Sequence, residues 1–369
     1  MSTVTQKTHG SRWLRNCWYV AAWSHELDAS GLTERTILGE SLLLYRKADG
    51  SPVVLANRCC HRYAPLSKGR REGDCVRCMY HGLRYDASGA CVEIPGQETI
   101  PPKARVRAYP AVEQRRWVWV WMGNPELADP SLIPDAYSLD DPGWRMKPGY
   151  LHYDVQAQLV IDNLLDFSHL SYVHEESLGG TAAIAEARPL VEKIERGLRI
   201  TRSIERSPPS PAHRKLGEFP DEIDRWWIYD FLVPGILLME SGVTPAGHSR
   251  SDPAARLFHS CQAVTPETER STHYFFALAH AFALDDPRVT EATAAALVQA
   301  FEEDRQIITA QQAMIEAAPA DAEPMMPIAA DRGVAQYRRL VAQMLEVEAS
   351  DGSKSPERVD VQLSTAATS

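Results

Sequence analysis

The segment RCCHRYAPLSKGRREGDCVRCMYHGLRYD (58–86) decides the reading of this chain. It holds Cys59-x-His61 and, after sixteen intervening residues, Cys78-x-x-His81. Two thiolates and two neutral imidazoles on two loops make a mixed soft and borderline ligand set. Such a set suits zinc, or a two-iron cluster with both histidines on one iron. Replacing two thiolates by imidazoles removes negative charge and raises the cluster's potential to about −150 to +300 mV. The zinc alternative would use Cys59 or Cys60, Cys75, Cys78 and one histidine, and would give a colourless protein. The chain has seven cysteines, an odd number, with four in this one segment. That pattern points to metal or redox chemistry rather than to a disulfide framework.

Outward from this segment the pattern is strand and turn. RWLRNCWYVAAW (12–23) begins the ordered part. TILGESLLLYRKADGSPVVLAN (36–57) predicts two strands joined at Asp49-Gly50. YDASGACVEI (85–94) carries a turn at Ser88-Gly89, and WVWVWMGNP (117–125) alternates as a strand does, its tryptophans read as packing. Residues 12–150 therefore predict a β-rich domain.

The second half changes character. VIDNLLDFSHLSYVH (160–174) and residues 290–316 predict helices. RWWIYDFLV (225–233) and THYFFALAHAF (272–282) predict strands, and RSPPSPAH (206–213) a loop. A closing helix places Val334, Tyr337, Val341 and Leu345 on one face. The expected class is α+β: a β-rich domain over 12–150, a larger domain over 151–349 with an antiparallel sheet, and a disordered tail over 350–369.

The first of those helices is apolar nearly all round, yet Asp162, Asn163, Asp166 and His169 form a polar stripe. Buried acids and imidazoles are costly unless paired or metal-bound. His174 follows His169 by five residues, about 140° around a regular helix. Both reach one metal only if the helix ends or bulges between them. A third ligand is expected from AALVQAFEEDRQIITAQQ (295–312). There Leu297, Phe301 and Ile308 share a face with Asp304, whereas Glu302 aligns with Arg305, and Glu303 with Gln299 and Gln306. The acid on the apolar face, Asp304, is the candidate. Two histidines and one carboxylate leave positions open for dioxygen and suit non-haem iron(II).

Composition excludes other classes. The chain of 369 residues has a formal net charge of −10 and no long basic block, a poor match to nucleic acid. No apolar run reaches the roughly 18 residues needed to span a bilayer. The start, MSTVTQKTHGS, lacks the apolar stretch of a secretory signal, so a cytoplasmic protein is expected. A simple iron–sulfur electron-transfer protein would need only the first metal motif and a shorter chain.

Both motifs resemble those of Rieske non-haem iron oxygenase α subunits. Cys59-x-His61, Cys78-x-x-His81-Gly82 and Tyr85-Asp86-x-x-Gly89 resemble the [2Fe–2S] segment, except that Cys60 stands where proline is usual. Asn163-x-x-Asp166-x-x-His169-x4-His174 and Glu303-Asp304 followed by Gln311-Gln312 are similar to the mononuclear-iron segments. With RWWIYDF, GVTPAG, AVTPETERSTHYFFALAHAFALDDP and the helix around Gln336-Tyr337-Arg338-Arg339, the likeness is greatest to the vanillate and dicamba O-demethylase group. It covers about residues 12–348.

The resemblance implies a Rieske domain followed by a helix-grip-like catalytic domain. Cys59, His61, Cys78 and His81 would hold the [2Fe–2S] cluster. His169, His174 and Asp304 would hold iron(II), with Asn163 close by. Asp166 would join His169 to the partner subunit's His81, which implies a homotrimer. The implied reaction is O₂-dependent hydroxylation of an N- or O-alkyl carbon of an aromatic compound, whose product collapses to an aldehyde and a dealkylated aromatic. A methyl or ring hydroxylase is the alternative outcome. No Gly-x-Gly-x-x-Gly fingerprint is present, so electrons would come from a separate ferredoxin or NAD(P)H-dependent reductase. Alignment with aromatic-acid demethylases puts Met239, Gln262 and Ala295 at pocket positions. None forms a charge-assisted bond to a carboxylate, so a neutral, bulky anilide or ether is the expected substrate. The alternative is a vanillate-type acid held by His259 or Arg256.

Overall fold

The structure is a computed structural model. It describes residues 13–175, 177–178, 182–210, 213–214, 219–319 and 321–350. The expected tail, beyond Ser350, and part of the 206–213 loop lie outside them.

The first half contains β1 (Trp18–Trp23), β2 (Thr33–Ile37), β3 (Glu40–Arg46), β4 (Pro52–Ala56), β5 (Arg70–Glu72), β6 (Cys75–Arg77), β7 (Arg84–Tyr85), β8 (Cys91–Glu93), β9 (Ala108–Tyr109), β10 (Ala111–Gln114) and β11 (Trp117–Trp121). These form three small sheets, ordered β1-β11-β10, β2-β3-β4-β9 and β5-β6-β7-β8. Segment 36–57 differs from expectation, because a further tight turn at Leu38-Gly39 closes a β2–β3 hairpin. Both turn residues have positive φ, 51° and 75°. That is the geometry of a two-residue hairpin turn, and leucine in the first position hides it from a sequence search. The tip is anchored to the second half, where Leu38 N–H donates to the Pro266 carbonyl and Gly39 N–H to that of Glu267.

The second half holds β12 (Gly149–Tyr153), β13 (Leu190–Ile194), β14 (Gly197–Ser207), β15 (Ile223–Leu232), β16 (Ile236–Pro245), β17 (Arg256–Thr268) and β18 (Ser271–His280). They form one antiparallel sheet in the order β12-β18-β17-β16-β15-β14-β13. Its helices are α1 (Ala157–Leu165), α2 (Leu170–Val173), α3 (Ala182–Glu186), α4 (Pro287–Ala317) and α5 (Arg332–Ser350). Asp286 caps α4 by accepting from Arg288 N–H, and Pro287 opens it.

On one face of the sheet α1, α4 and α5 bury Leu164, Leu297, Phe301, Ile308 and Tyr337 against Tyr229, Phe231 and Tyr274. On the other face lie Trp18, Trp23, Trp117, Trp119 and Trp121, packed on Cys261, Ala263, Phe275 and Ala277. The valines of β11 point into the first core with Leu42 and Leu44. The Trp/Val alternation thus separates two buried faces, large and small, rather than inside from outside. The tryptophans are packing residues, as expected.

Candidate metal centres and cavity

Cys59 and Cys78 sit in two loops of the same backbone design. Cys59 N–H donates to the Ala64 carbonyl and Tyr63 N–H to that of Cys59; Cys78 N–H donates to Leu83 and Gly82 N–H to Cys78. The fifth residue of each loop is left-handed, Tyr63 at φ 59° and Gly82 at φ 76°. At Gly82 a side chain has no room, since a Cβ would meet Pro95 Cγ at 2.7 Å. Both thiols are buried, while His61 and His81 are exposed with ring centroids 4.5 Å apart. The Tyr85 hydroxyl lies 3.1 Å from Cys59 Sγ and 3.2 Å from Cys60 Sγ. Two inner sulfurs and two outer imidazoles fit a cluster with one sulfur-ligated and one histidine-ligated iron. All seven cysteines are free.

The second centre depends on a broken helix. Asp166, at φ −126° and ψ 99°, ends α1 and caps a single 3₁₀ turn over Phe167–His169. Its carboxylate accepts from Ser168 N–H at 2.8 Å and Ser168 Oγ at 2.8 Å. His174 falls at the end of α2 with φ −112° and ψ 27°. The helix therefore breaks before His169, at Asp166, and ends again at His174; between the two histidines the chain stays helical, passing from the 3₁₀ turn directly into α2. His169, His174 and Asp304 each offer a ligand atom within 4.8 Å of the others.

The tautomers follow from the outer contacts. His169 Nδ1 lies 2.5 Å from the Asp166 carbonyl, so Nδ1 carries the proton and donates it. His174 Nδ1 lies 2.8 Å from Glu303 Oε2. Both Nε2 atoms then face Asp304 Oδ1, at 3.4 and 3.2 Å. Asn163 Nδ2 donates to the same oxygen at 3.0 Å. Outer partners that lock the tautomer are characteristic of metal-binding histidines. Burial lowers the pKa of His169, with Asp304 opposing it. Burial also works against charge on His174, but Asp304 and Glu303 outweigh it and raise its pKa. The fit to one divalent metal is good: two imidazole nitrogens and one carboxylate, buried and supported.

The anticipated polar stripe divides. Asn163 faces the site, whereas Asp162 turns away to Arg338 of α5 and Gln158. Glu303, placed by the sequence on the outer face beside Gln299, does hold Gln299 at 3.1 Å but also holds His174 and Ser177. Its adjacency to Asp304 was the available signal.

The three residues open into a cavity walled by α1, α4 and strands β15–β18. Leu164, Phe167, Trp227, Phe258 and Leu297 make it largely apolar. Met239 and Gln262 line it. The Gln262 amide is engaged internally, accepting from Tyr274 and donating to Ser260 Oγ at 2.8 Å. Ala295 does not line it. It is exposed on the outer side of α4, because the helical repeat turns Ala292, Thr293, Ala296 and Leu297 inward instead. His259 lies behind the sheet, 2.7 Å from Ser138 Oγ, and Arg256 sits between Phe219 and Phe282. Neither lines the cavity, but Arg225 and His213 do.

Comparison with known proteins agrees with this layout. Residues 17–110 match the Rieske [2Fe-2S] domain and residues 153–347 the vanillate O-demethylase oxygenase C-terminal domain. The chain is 48% identical to a toluene-4-sulfonate monooxygenase system iron–sulfur subunit of Comamonas testosteroni, covering 91% of this chain and 98% of the relative. It is 38% identical to the oxygenase component of a chloroacetanilide N-alkylformylase from Rhizorhabdus wittichii, over 77% and 82% of the two chains. A crystal structure of dicamba monooxygenase with non-haem iron and dicamba superposes with a TM-score of 0.78 at 30% identity, over 91% and 98% of the chains.

Proposed function

Because this chain belongs to the Rieske oxygenase components of the vanillate O-demethylase type, we propose that it hydroxylates an alkyl carbon borne by an aromatic compound. Where that carbon is attached to nitrogen or oxygen, the product collapses to an aldehyde and a dealkylated aromatic. The enzyme is an oxidoreductase whose cofactors are a Rieske [2Fe–2S] cluster and a mononuclear non-haem iron. The observation that carries the reading is the His169–His174–Asp304 set at the wall of an apolar cavity.

In this reading the domains divide near residue 150. Cys59, His61, Cys78 and His81 hold the cluster, and His169, His174 and Asp304 hold the iron. Iron bound there supplies reductive activation of dioxygen. The protein's own part is positional. Asp166 and Glu303 keep the two Nδ1 positions occupied, so both Nε2 lone pairs stay available. Asn163 holds the shared oxygen of Asp304. Phe167, Phe258 and Leu297 hold an aromatic ring and exclude water.

Electrons come from a ferredoxin or NAD(P)H-dependent reductase. The functional unit is a homotrimer in which Asp166 joins His169 to the partner subunit's His81. Supporting this are the exposed His61 and His81, flanked by exposed Tyr63, Met79 and Tyr80. No helix of the described residues is long and apolar enough to cross a membrane. We place the enzyme in the cytoplasm, where reduced nicotinamide is available.

The test is anaerobic reconstitution with iron, a ferredoxin and a reductase, then oxygenation of panels of aryl ethers, anilides and methylarenes. Aldehyde or benzylic alcohol that depends on substrate, and is lost in His169→Ala, is the expected result. Ring-hydroxylated products alone would refute it.

A further inference from the structure

Arg225 is 5% exposed on β15 and lines the same cavity as the His169–His174–Asp304 set. Its Nε and Nη1 are buried and have no hydrogen-bond partner. No carboxylate acts on it among the described residues: burial is the only influence on its pKa, lowering it to about 10, so it remains a cation at neutral pH. Its guanidinium carbon stands 4.9 Å from the Trp227 ring centroid. Its cross-strand neighbours are Ile204 and Val243, which supply no counter-charge. His213, also in the cavity wall, cannot compete for an anion as a second cation, being held down to about 3 by burial and then by Arg225 itself.

A buried, unpaired guanidinium is costly to keep, and an aliphatic residue would fill a strand position between Ile204 and Val243 without that cost. The arginine is explained if its counter-charge arrives with the ligand. Placement along the strand agrees. Arg225 lies four residues from Tyr229, about 13 Å, and Tyr229 stacks on Phe167 at 4.7 Å, next to the turn that carries His169. One aromatic ring and an arginine side chain fill a span of that order.

We propose that Arg225 binds the anionic headgroup, sulfonate or carboxylate, of a monocyclic aromatic substrate whose opposite alkyl carbon is presented to His169, His174 and Asp304. The inference rests on the proposed function and specifies its substrate class. It differs from the neutral substrate expected from Met239, Gln262 and Ala295, none of which lies on β15.

The experiment measures dissociation constants with the anaerobic holoenzyme by calorimetry, using toluene-4-sulfonate, 4-methylbenzoate and the neutral toluene-4-sulfonamide. The wild type binds one of the anions at least about tenfold more tightly than the sulfonamide, and the better of the two identifies the headgroup. Arg225→Met weakens that anion by about a hundredfold while sulfonamide affinity stays within about threefold; Arg225→Lys falls between. Equal wild-type affinity for anions and amide overturns the inference, as does an Arg225→Met enzyme that binds the anion normally. If Arg225→Met binds neither ligand, the wild-type ratio and Arg225→Lys decide. Turnover of the same compounds separates the two claims. Arg225-dependent binding with no oxidised product from any compound refutes alkyl hydroxylation alone. Oxidised neutral compounds with no Arg225-dependent anion binding refute the anion site alone.

Discussion

Replacing Glu303 by alanine should loosen the mononuclear iron without touching any ligand. The Glu303 carboxylate stands 2.8 Å from His174 Nδ1, and Ser177 Oγ donates to it at 2.5 Å. His174 is 1% exposed and Glu303 27%, so the acceptor left after truncation is water entering the space that the carboxylate vacates. A hydrogen bond to a charged group contributes about 1.5–3 kcal/mol. Removing an outer partner of a metal-bound histidine typically costs about 10–100-fold in metal affinity, roughly 1.4–2.7 kcal/mol. The two figures agree, and about 2 kcal/mol is the expected loss for Glu303→Ala. Glu303→Gln retains a carbonyl acceptor and should lose less than about 1 kcal/mol. The assay is competition for iron(II) against a chromophoric chelator, with visible absorption confirming that the [2Fe–2S] cluster is intact. A Glu303→Ala enzyme that holds iron as tightly as the wild type would show that Glu303 merely shields the site. A matching loss in Glu303→Gln would show that charge, not acceptor geometry, matters.

Two further outcomes follow from other parts of the fold. Burial holds the pKa of His259 down to about 4, with Asp135 opposing it. Being lowered, it costs stability as pH falls below the unfolded value of about 6.5: roughly 2 kcal/mol is lost by pH 5 and about 3 by pH 4. Urea midpoints should show a smaller pH 7-to-5 drop in His259→Asn, and an unchanged drop would refute the assignment. Gly82→Ala forces a Cβ to within 2.7 Å of Pro95 Cγ at φ 76°, so cluster content per chain, read from visible absorption and iron analysis, should fall by more than half.

What could be read from sequence divides along a physical line. Ligand residues carry chemistry in their identity, so Cys59-x-His61 and His169-x4-His174 stood out before any fold was known. The strand at 117–121 was equally legible, though its alternation describes two buried faces. The hairpin at Leu38-Gly39 was not, because the left-handed first position is occupied by leucine. Nor was the break at Asp166. Asp, Phe, Ser and His tolerate a helix, and what ends it is capping by Asp166 of the turn that carries His169.

The substrate positions were the least legible, and for a definite reason. A helix contributes to a cavity through a face about 100° wide, so an error of one residue moves a side chain outside, as at Ala295. A strand is less forgiving in phase but more informative in content, since every second residue faces the same side. RWWIYDFLV reads as a strand, but nothing in its sequence shows which side of a sheet Arg225 faces. Only the seven-stranded order places that arginine two strands from the β13 edge and under the helices, with no carboxylate acting on it among the described residues. A buried arginine that faces a cavity with a metal site therefore calls for a partner search. When the protein offers none, the ligand is the remaining source of the counter-charge, which is the reasoning that the Arg225 titrations put at risk.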